Sequence, residues 1–239
     1  MPGLLVDGIV AFDGAALTST LSLKAQLELK AVFISHRHYD HLRDIPALGM
    51  NLFLSERSLT IYSHDDVFNS LKTHLLNGDL YPRYYEKPSQ NPTFRFVPLN
   101  PFQTYDIEGY HVLPVPVNHV VPALGYQITS KDGKSLFYTS DTGINLTDVW
   151  RHVTPQLLVI ELTAPDRYAE SVDPAKHLTP RLLKRELIEF KKLKGYIPQV
   201  ITVHMNRMLE SEIAAEISQV ARSLNASVTL AKEGMKIEI

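Results

Sequence analysis

The run Ala31-Val32-Phe33-Ile34-Ser35-His36-Arg37-His38-Tyr39-Asp40-His41 decides how this chain is read. Its first half is short, β-branched and aromatic, the composition of a buried strand. Its second half packs His36, His38, Asp40 and His41 together at the strand end, where active-site loops commonly sit. In an extended segment His36 and His38 point to one side, while Asp40 and His41 in the following turn reach a neighbouring point. One segment can thus feed two metal ions. A solvated polar turn has no need of such density.

The same grammar recurs downstream. His119 follows a strand expected over 112–117, Asp141 follows Leu136-Phe137-Tyr138-Thr139-Ser140, and His204 follows Val200-Ile201-Thr202-Val203. Taken singly, each is more often structural. Taken with the first cluster, they complete a set of imidazole and carboxylate donors. Zinc-like ions bind such donors at about 2.0–2.2 Å, so ligands must arrive from distant strand ends. The chain has no cysteine, which excludes disulfides, thiolate metal sites and cysteine nucleophiles.

The remaining pattern predicts a helix over 17–27, a strand over 51–54, a mainly helical 55–74 and a loose excursion over 75–101. That excursion holds Tyr81, Tyr84 and Tyr85, candidates for an aromatic lip over a nucleobase or for a dimer contact. Strands are predicted at 110–117, 125–129, 136–139, 157–160 and 199–203, and closing strands at 227–230 and 235–239. Lys131-Asp132-Gly133-Lys134 reads as a hairpin turn, and 180–193 and 210–224 read as amphipathic helices. Each half runs strands first and helix later, which argues for two mixed sheets facing each other with helices outside. No linker or repeat divides residues 1–239, so a single domain is expected. His64, His74, His111 and His152 lack a strand-end partner and read as filler, and Trp150 reads as a packing residue.

With 239 residues and 44% hydrophobic content, the chain can bury a sizeable core. Its 24 basic and 26 acidic residues leave a net charge of −2, without the basic excess of a long nucleic-acid footprint. Small or short anionic substrates fit better. Met1-Pro2-Gly3-Leu4-Leu5-Val6-Asp7 lacks the start of a signal peptide, and no apolar stretch approaches the roughly 20 residues that span a bilayer. A cytoplasmic protein with no membrane partner is expected.

The order and spacing of His36-x-His38-x-Asp40-His41, His119, Ser140-Asp141-Thr142-Gly143 and His204 resemble the metallo-β-lactamase superfamily across nearly the whole chain. The resemblance implies an α/β, four-layer αββα sandwich. It implies one ion held by His36, His38 and His119, a second by Asp40, His41 and His204, and Asp141 bridging them. Relatives begin with a strand before the stretch similar to Gly3–Asp7, so that first edge strand is expected to be missing here. A homodimer is the assembly the resemblance leaves open.

A finer resemblance follows from Glu161-Leu162-Thr163 after a strand and His177-Leu178-Thr179-Pro180 at a helix start. These are similar to the class II cyclic-nucleotide phosphodiesterases and, more distantly, to the tRNA 3′-processing endonucleases of the RNase Z type. In those relatives the histidine sits opposite the metals and the glutamate orients it. The expected chemistry is cleavage of a small phosphodiester, a 3′,5′-cyclic nucleotide among the candidates, by a hydroxide activated on two divalent ions. Zinc is the expected metal, with manganese and iron also compatible with these donors. Asp40 and Asp141 would fix the hydroxide. His177, held by Glu161, would protonate the leaving oxygen. The alternatives are an RNase Z-like endonuclease, a lactone or thioester hydrolase, and a non-hydrolytic diiron protein. The last carries a glutamate where this chain has His38.

Overall fold

The apolar runs of the first hundred residues become strands of one sheet, and those that follow become strands of another. A computed structural model describes residues 3–239. Residues 1 and 2, part of the N-terminal stretch read above, lie outside the described residues. The chain divides into two units, Met1–Asn100 and Pro101–Ile239.

In the first unit the elements run β1 (Leu4–Val6), β2 (Val10–Phe12), α1 (Leu17–Thr20), α2 (Leu23–Glu28), β3 (Ala31–Phe33), α3 (Tyr39–Leu42), α4 (Ile45–Leu54), β4 (Leu59–Ser63), α5 (Asp65–Ser70) and β5 (Phe94–Pro98). A π-helical turn, Leu71–Leu75, extends α5. The sheet order is β1-β2-β3-β4-β5, with β1 antiparallel to β2 and every other pair parallel. Parallel neighbours need crossover connections, and the helices supply them. Ala11, Val32 and Ile61 pack on one face with Ile45, Leu48 and Leu52 of α4. Phe12, Phe33 and Tyr62 stack along the other, with ring centroids 5.3 and 5.0 Å apart. Burial on both faces explains why β3 reads as an unbroken apolar run rather than an alternating one.

The second unit runs β6 (Tyr105–Ile107), β7 (Tyr110–Pro116), β8 (Leu124–Thr129), β9 (Ser135–Tyr138), α6 (Thr147–His152), β10 (Leu157–Glu161), α7 (Ala169–Val172), α8 (Pro180–Lys194), β11 (Gln199–Val203), α9 (Glu210–Leu224) and β12 (Val228–Leu230). Its sheet order is β12-β11-β10-β9-β8-β7-β6. The meander β6 to β9 is antiparallel, and β9 to β12 are parallel. Trp150 is fully buried and meets Phe137 and Phe190 edge-on, as its reading as a packing residue expects.

Several sequence expectations are corrected. Residues 51–54 are the end of α4, not a strand: Ile45, Leu48 and Leu52 share one buried helical face, and Pro46 sits in the first turn. Within 55–74 the chain forms β4 before α5, and β4 alternates buried and half-buried residues as a strand does. The excursion contains β5. Residues 235–239 form no strand, being mostly exposed irregular chain. Tyr84 is no lip residue. It is fully buried, and a Cβ on Gly49 would fall 2.4 Å from its ring, so that glycine is fixed by close packing. Among the described residues no helix is long and apolar enough to cross a membrane.

One buried carboxylate ties α6 to α8. Glu186, 2% exposed, accepts hydrogen bonds from Asn145 N (2.8 Å), Leu146 N (3.2 Å) and the Trp150 indole (3.0 Å). Glu186→Ala strands three donors in a dry interior and is expected to cost about 3–5 kcal/mol of stability. Urea unfolding with an unchanged m-value checks this; a loss below about 1 kcal/mol would contradict it.

Candidate metal centre

In the first unit the ligand-type residues leave the end of β3. Two imidazole nitrogens, His36 Nε2 and His38 Nδ1, lie 3.0 Å apart. His41 Nε2 lies 3.6 Å from Asp40 Oδ2. The His36 and His41 rings are 4.1 Å apart between centroids. His36 and His41 are fully buried, whereas the Asp40 side chain is 46% exposed. The far side of this cluster is anchored. Ser35 Oγ lies 3.0 Å from His36 Nδ1, and Asp13 Oδ2 lies 2.7 Å from His41 Nδ1.

Asp13 escapes the sequence reading, because Phe12-Asp13-Gly14 looks like an ordinary turn. It follows β2 with a left-handed backbone, φ 61°, and is fully buried. Its Oδ1 also accepts from the Ser35 amide and hydroxyl, both at 2.8 Å. Burial alone would push this carboxyl up. The charge and hydrogen bond of His41, the charge of His36 and the Ser35 amide together outweigh it and hold Asp13 below the usual carboxylate range.

The second unit gathers His119, Asp141, His177 and His204 from separate loops and Glu161 from the end of β10. Asn118 locks the His119 loop to the turn after β9: its amide donates to Thr142 Oγ1 (3.1 Å), its side chain donates to the Ile144 carbonyl (2.6 Å), and Gly143 N donates to its carbonyl (2.7 Å). His119 Nδ1 faces the Lys176 carbonyl at 3.3 Å. Asp141, 2% exposed, follows Ser140 in a left-handed conformation (φ 56°). His204 leaves β11 with φ 63° and sets its Nε2 3.4 Å from Asp141 Oδ2.

Glu161, at the end of β10, is fully buried and accepts four hydrogen bonds. Thr142 N (3.0 Å) and His177 Nδ1 (2.7 Å) meet Oε1; Thr163 Oγ1 (2.9 Å) and Leu178 N (3.1 Å) meet Oε2. The His177 ring stacks on that of His204, 5.3 Å between centroids and 14° from parallel, and meets His119 edge-on at 5.2 Å. Glu161, His177 and His204 are close enough to share an ion. Four protein donors already occupy the Glu161 oxygens. Thr163 stands in the Glu161-Leu162-Thr163 motif, but the sequence assigns it no role of its own. Its hydroxyl donates to Glu161 and lies 3.0 Å from His204 Nδ1, so the imidazole donates to it and its Nε2 is left with the lone pair.

Residues 4–205 match the family model of the β-lactamase superfamily domain, and the chain belongs to that superfamily. It is similar to the ribonuclease Z of Pyrococcus abyssi, 33% identical over 138 residues, an alignment covering 55% of this chain and 42% of the relative. A ribonuclease Z of Metallosphaera sedula is 26% identical over 124 residues, covering 52% and 39%. The chain thus spans about two fifths of the length of the curated relatives it matches. Among solved structures, unliganded yeast PDE1 superposes with a TM-score of 0.78 at 19% identity, covering 89% of this chain and 69% of the other. The short form of human tRNase Z does so with 0.66 at 20% identity, covering 99% and 91%. These likenesses establish the fold: the α/β metallo-β-lactamase class expected from the residues, with mixed sheets flanked by helices.

Asp13 and Thr163 both act on ligand-type histidines from behind. Asp13→Ala and Thr163→Val are each expected to weaken metal binding about 10–100-fold while the fold persists, and Thr163→Ser to retain most of it. Calorimetric titration of the metal-free protein with zinc reads this directly; wild-type affinity in Asp13→Ala would deny that this carboxylate holds a ligand.

Proposed function

We propose that this chain is a binuclear metallohydrolase that cleaves the phosphodiester bond of a small nucleotide-type substrate, a 3′,5′-cyclic nucleotide being the leading candidate. The observation that carries the reading is the Glu161–His177 pair at 2.7 Å, with the glutamate fully buried and the histidine beside His204 and His119. Lactone or thioester hydrolysis needs no leaving-group acid of this type.

In this reading residues 1–239 act as one domain. His36, His38 and His119 would hold one ion, Asp40, His41 and His204 a second, and Asp141 would be shared between them. The donor set fits such ions. His36, His41, His119 and His204 each have one ring nitrogen engaged by an outer oxygen, the arrangement metal-ligating histidines show. Imidazoles and carboxylates without thiolate suit zinc, which we take as the metal, and also manganese or iron. When bound, the ions would neutralise charge on the phosphate and make water acidic enough to attack at neutral pH.

The chain's own groups do the rest. Asp40 and Asp141 orient the attacking water. His177 keeps its Nδ1 proton on Glu161, so Nε2 is the nitrogen that gives a proton to the leaving oxygen as the P–O bond breaks. The neutral imidazole then regains a proton from solvent. The ribonuclease Z relatives, together with Arg185, Lys191 and Lys192 exposed along α8, favour RNA cleavage as the second reading.

Metal analysis is expected to find two equivalents per chain, with metal-dependent turnover of bis(p-nitrophenyl) phosphate and cyclic AMP. Bound metal without phosphodiester cleavage would shift the reading to a lactonase, and iron with a visible charge-transfer band to a diiron protein. His177→Ala should lower kcat about 10²–10⁴-fold with metal content intact; loss of metal instead would end its role as general acid. A KM insensitive to salt marks a small substrate, and a steep rise with salt marks RNA.

A further inference from the structure

Lys176 occupies a backbone position that glycine fills at least strain. After α7, Lys176 N donates to the Asp173 carbonyl (2.9 Å) and His177 N to the Val172 carbonyl (3.2 Å), the two bonds of a Schellman ending. The residue at its left-handed position is commonly glycine. Here it is a lysine, with φ 58°. A side chain kept at a strained position beside a functional residue is a pointer to function.

The surroundings accommodate that side chain. A Cβ on Gly143 would meet the Lys176 Cα at 3.2 Å, its Cβ at 3.3 Å and its Cδ at 3.4 Å, so the lysine stem lies along a glycine two residues from Asp141. The Lys176 carbonyl receives His119 Nδ1, and the next residue is His177. Lys176 therefore touches three of the segments that carry the second unit's functional side chains. Its ammonium has no carboxylate partner within 4 Å among the described residues, whereas Arg167, Arg151 and Lys192 of the same unit are paired.

The geometry points to Lys176 as a substrate-phosphate contact. Its ammonium supplies a mobile point charge to a non-bridging oxygen of the phosphodiester on the side where His177 serves the leaving group. This rests on the phosphodiesterase reading for its substrate but not for its binding measurement.

The test compares metal-loaded wild type with Lys176→Met, Lys176→Gly and Lys176→Arg in two assays. One is calorimetric binding of inorganic phosphate, which needs no turnover; the other is steady-state cleavage of bis(p-nitrophenyl) phosphate. Lys176→Met and Lys176→Gly are expected to weaken phosphate binding and raise KM about 10–100-fold with metal content unchanged, and Lys176→Arg to stay within about threefold of wild type. Lys176→Gly should melt at the wild-type temperature or above it, since glycine relieves the left-handed strain. A purely structural lysine would instead show wild-type phosphate binding in Lys176→Gly, and that result overturns the proposal, as does a wild type that binds no phosphate. A wild type that binds phosphate through Lys176 but cleaves no phosphodiester keeps the contact and removes the proposed reaction.

Discussion

An imidazole has two nitrogens and only one can face a metal ion, so histidines of the proposed ligand set depend on what holds the other. In the first unit the holders are Ser35 and Asp13; in the second they are Thr163 and a backbone carbonyl, that of Lys176. Asp13 and Ser35 are fully buried, where a hydrogen bond is electrostatically stronger and a missing one more damaging than in water. The strands keep these outer groups dry. Seen this way, the apolar runs of β2, β3, β10 and β11 serve the chemistry by fixing which nitrogen of each ring is available.

A second constraint is the turn each strand must make to release its polar residue. Asp13, Ser140 and His204 all take left-handed backbone conformations just past β2, β9 and β11. For residues other than glycine, each such conformation costs of the order of 1–3 kcal/mol and persists only where packing over-determines it. The packing is close by. Phe12 and Phe33 stack on one sheet, and Trp150 with Phe137 and Phe190 forms the aromatic centre of the other unit. Strain of this kind swings a side chain out of the pleat abruptly and gives its direction little freedom.

These constraints explain what could and could not be read in advance. His36, His38, Asp40 and His41 stand out because donors crowd after a pattern that names a strand, and His119, Asp141 and His204 follow the same rule. Glu161 and His177 became visible only through resemblance to relatives, since a lone carboxylate and a lone histidine sixteen positions apart carry no periodic signal. The roles of Asp13 and Thr163 were not legible. Their role is set by a three-dimensional partner, not by spacing. The misread segments share a cause of another kind. Around α4 the helical repeat of Ile45, Leu48 and Leu52 extends past the short window 51–54, and β4 hides its alternation behind Thr60 and Tyr62, which look neither polar nor apolar.

The two units present their donors in contrasting ways. The first draws four from six consecutive residues, where His36 and His38 flank a bend at Arg37 and bring ring nitrogens 3.0 Å apart. The second draws His119, Asp141, His177 and His204 from separate loops and Glu161 from the end of β10, with the hairpin between β8 and β9 lying between the first two. A residue inserted between His36 and His38 would break that approach. A residue inserted at the 131–134 hairpin would leave both neighbouring donors in place. Length is therefore a free variable at the 131–134 hairpin of the second unit and a fixed one across 36–41.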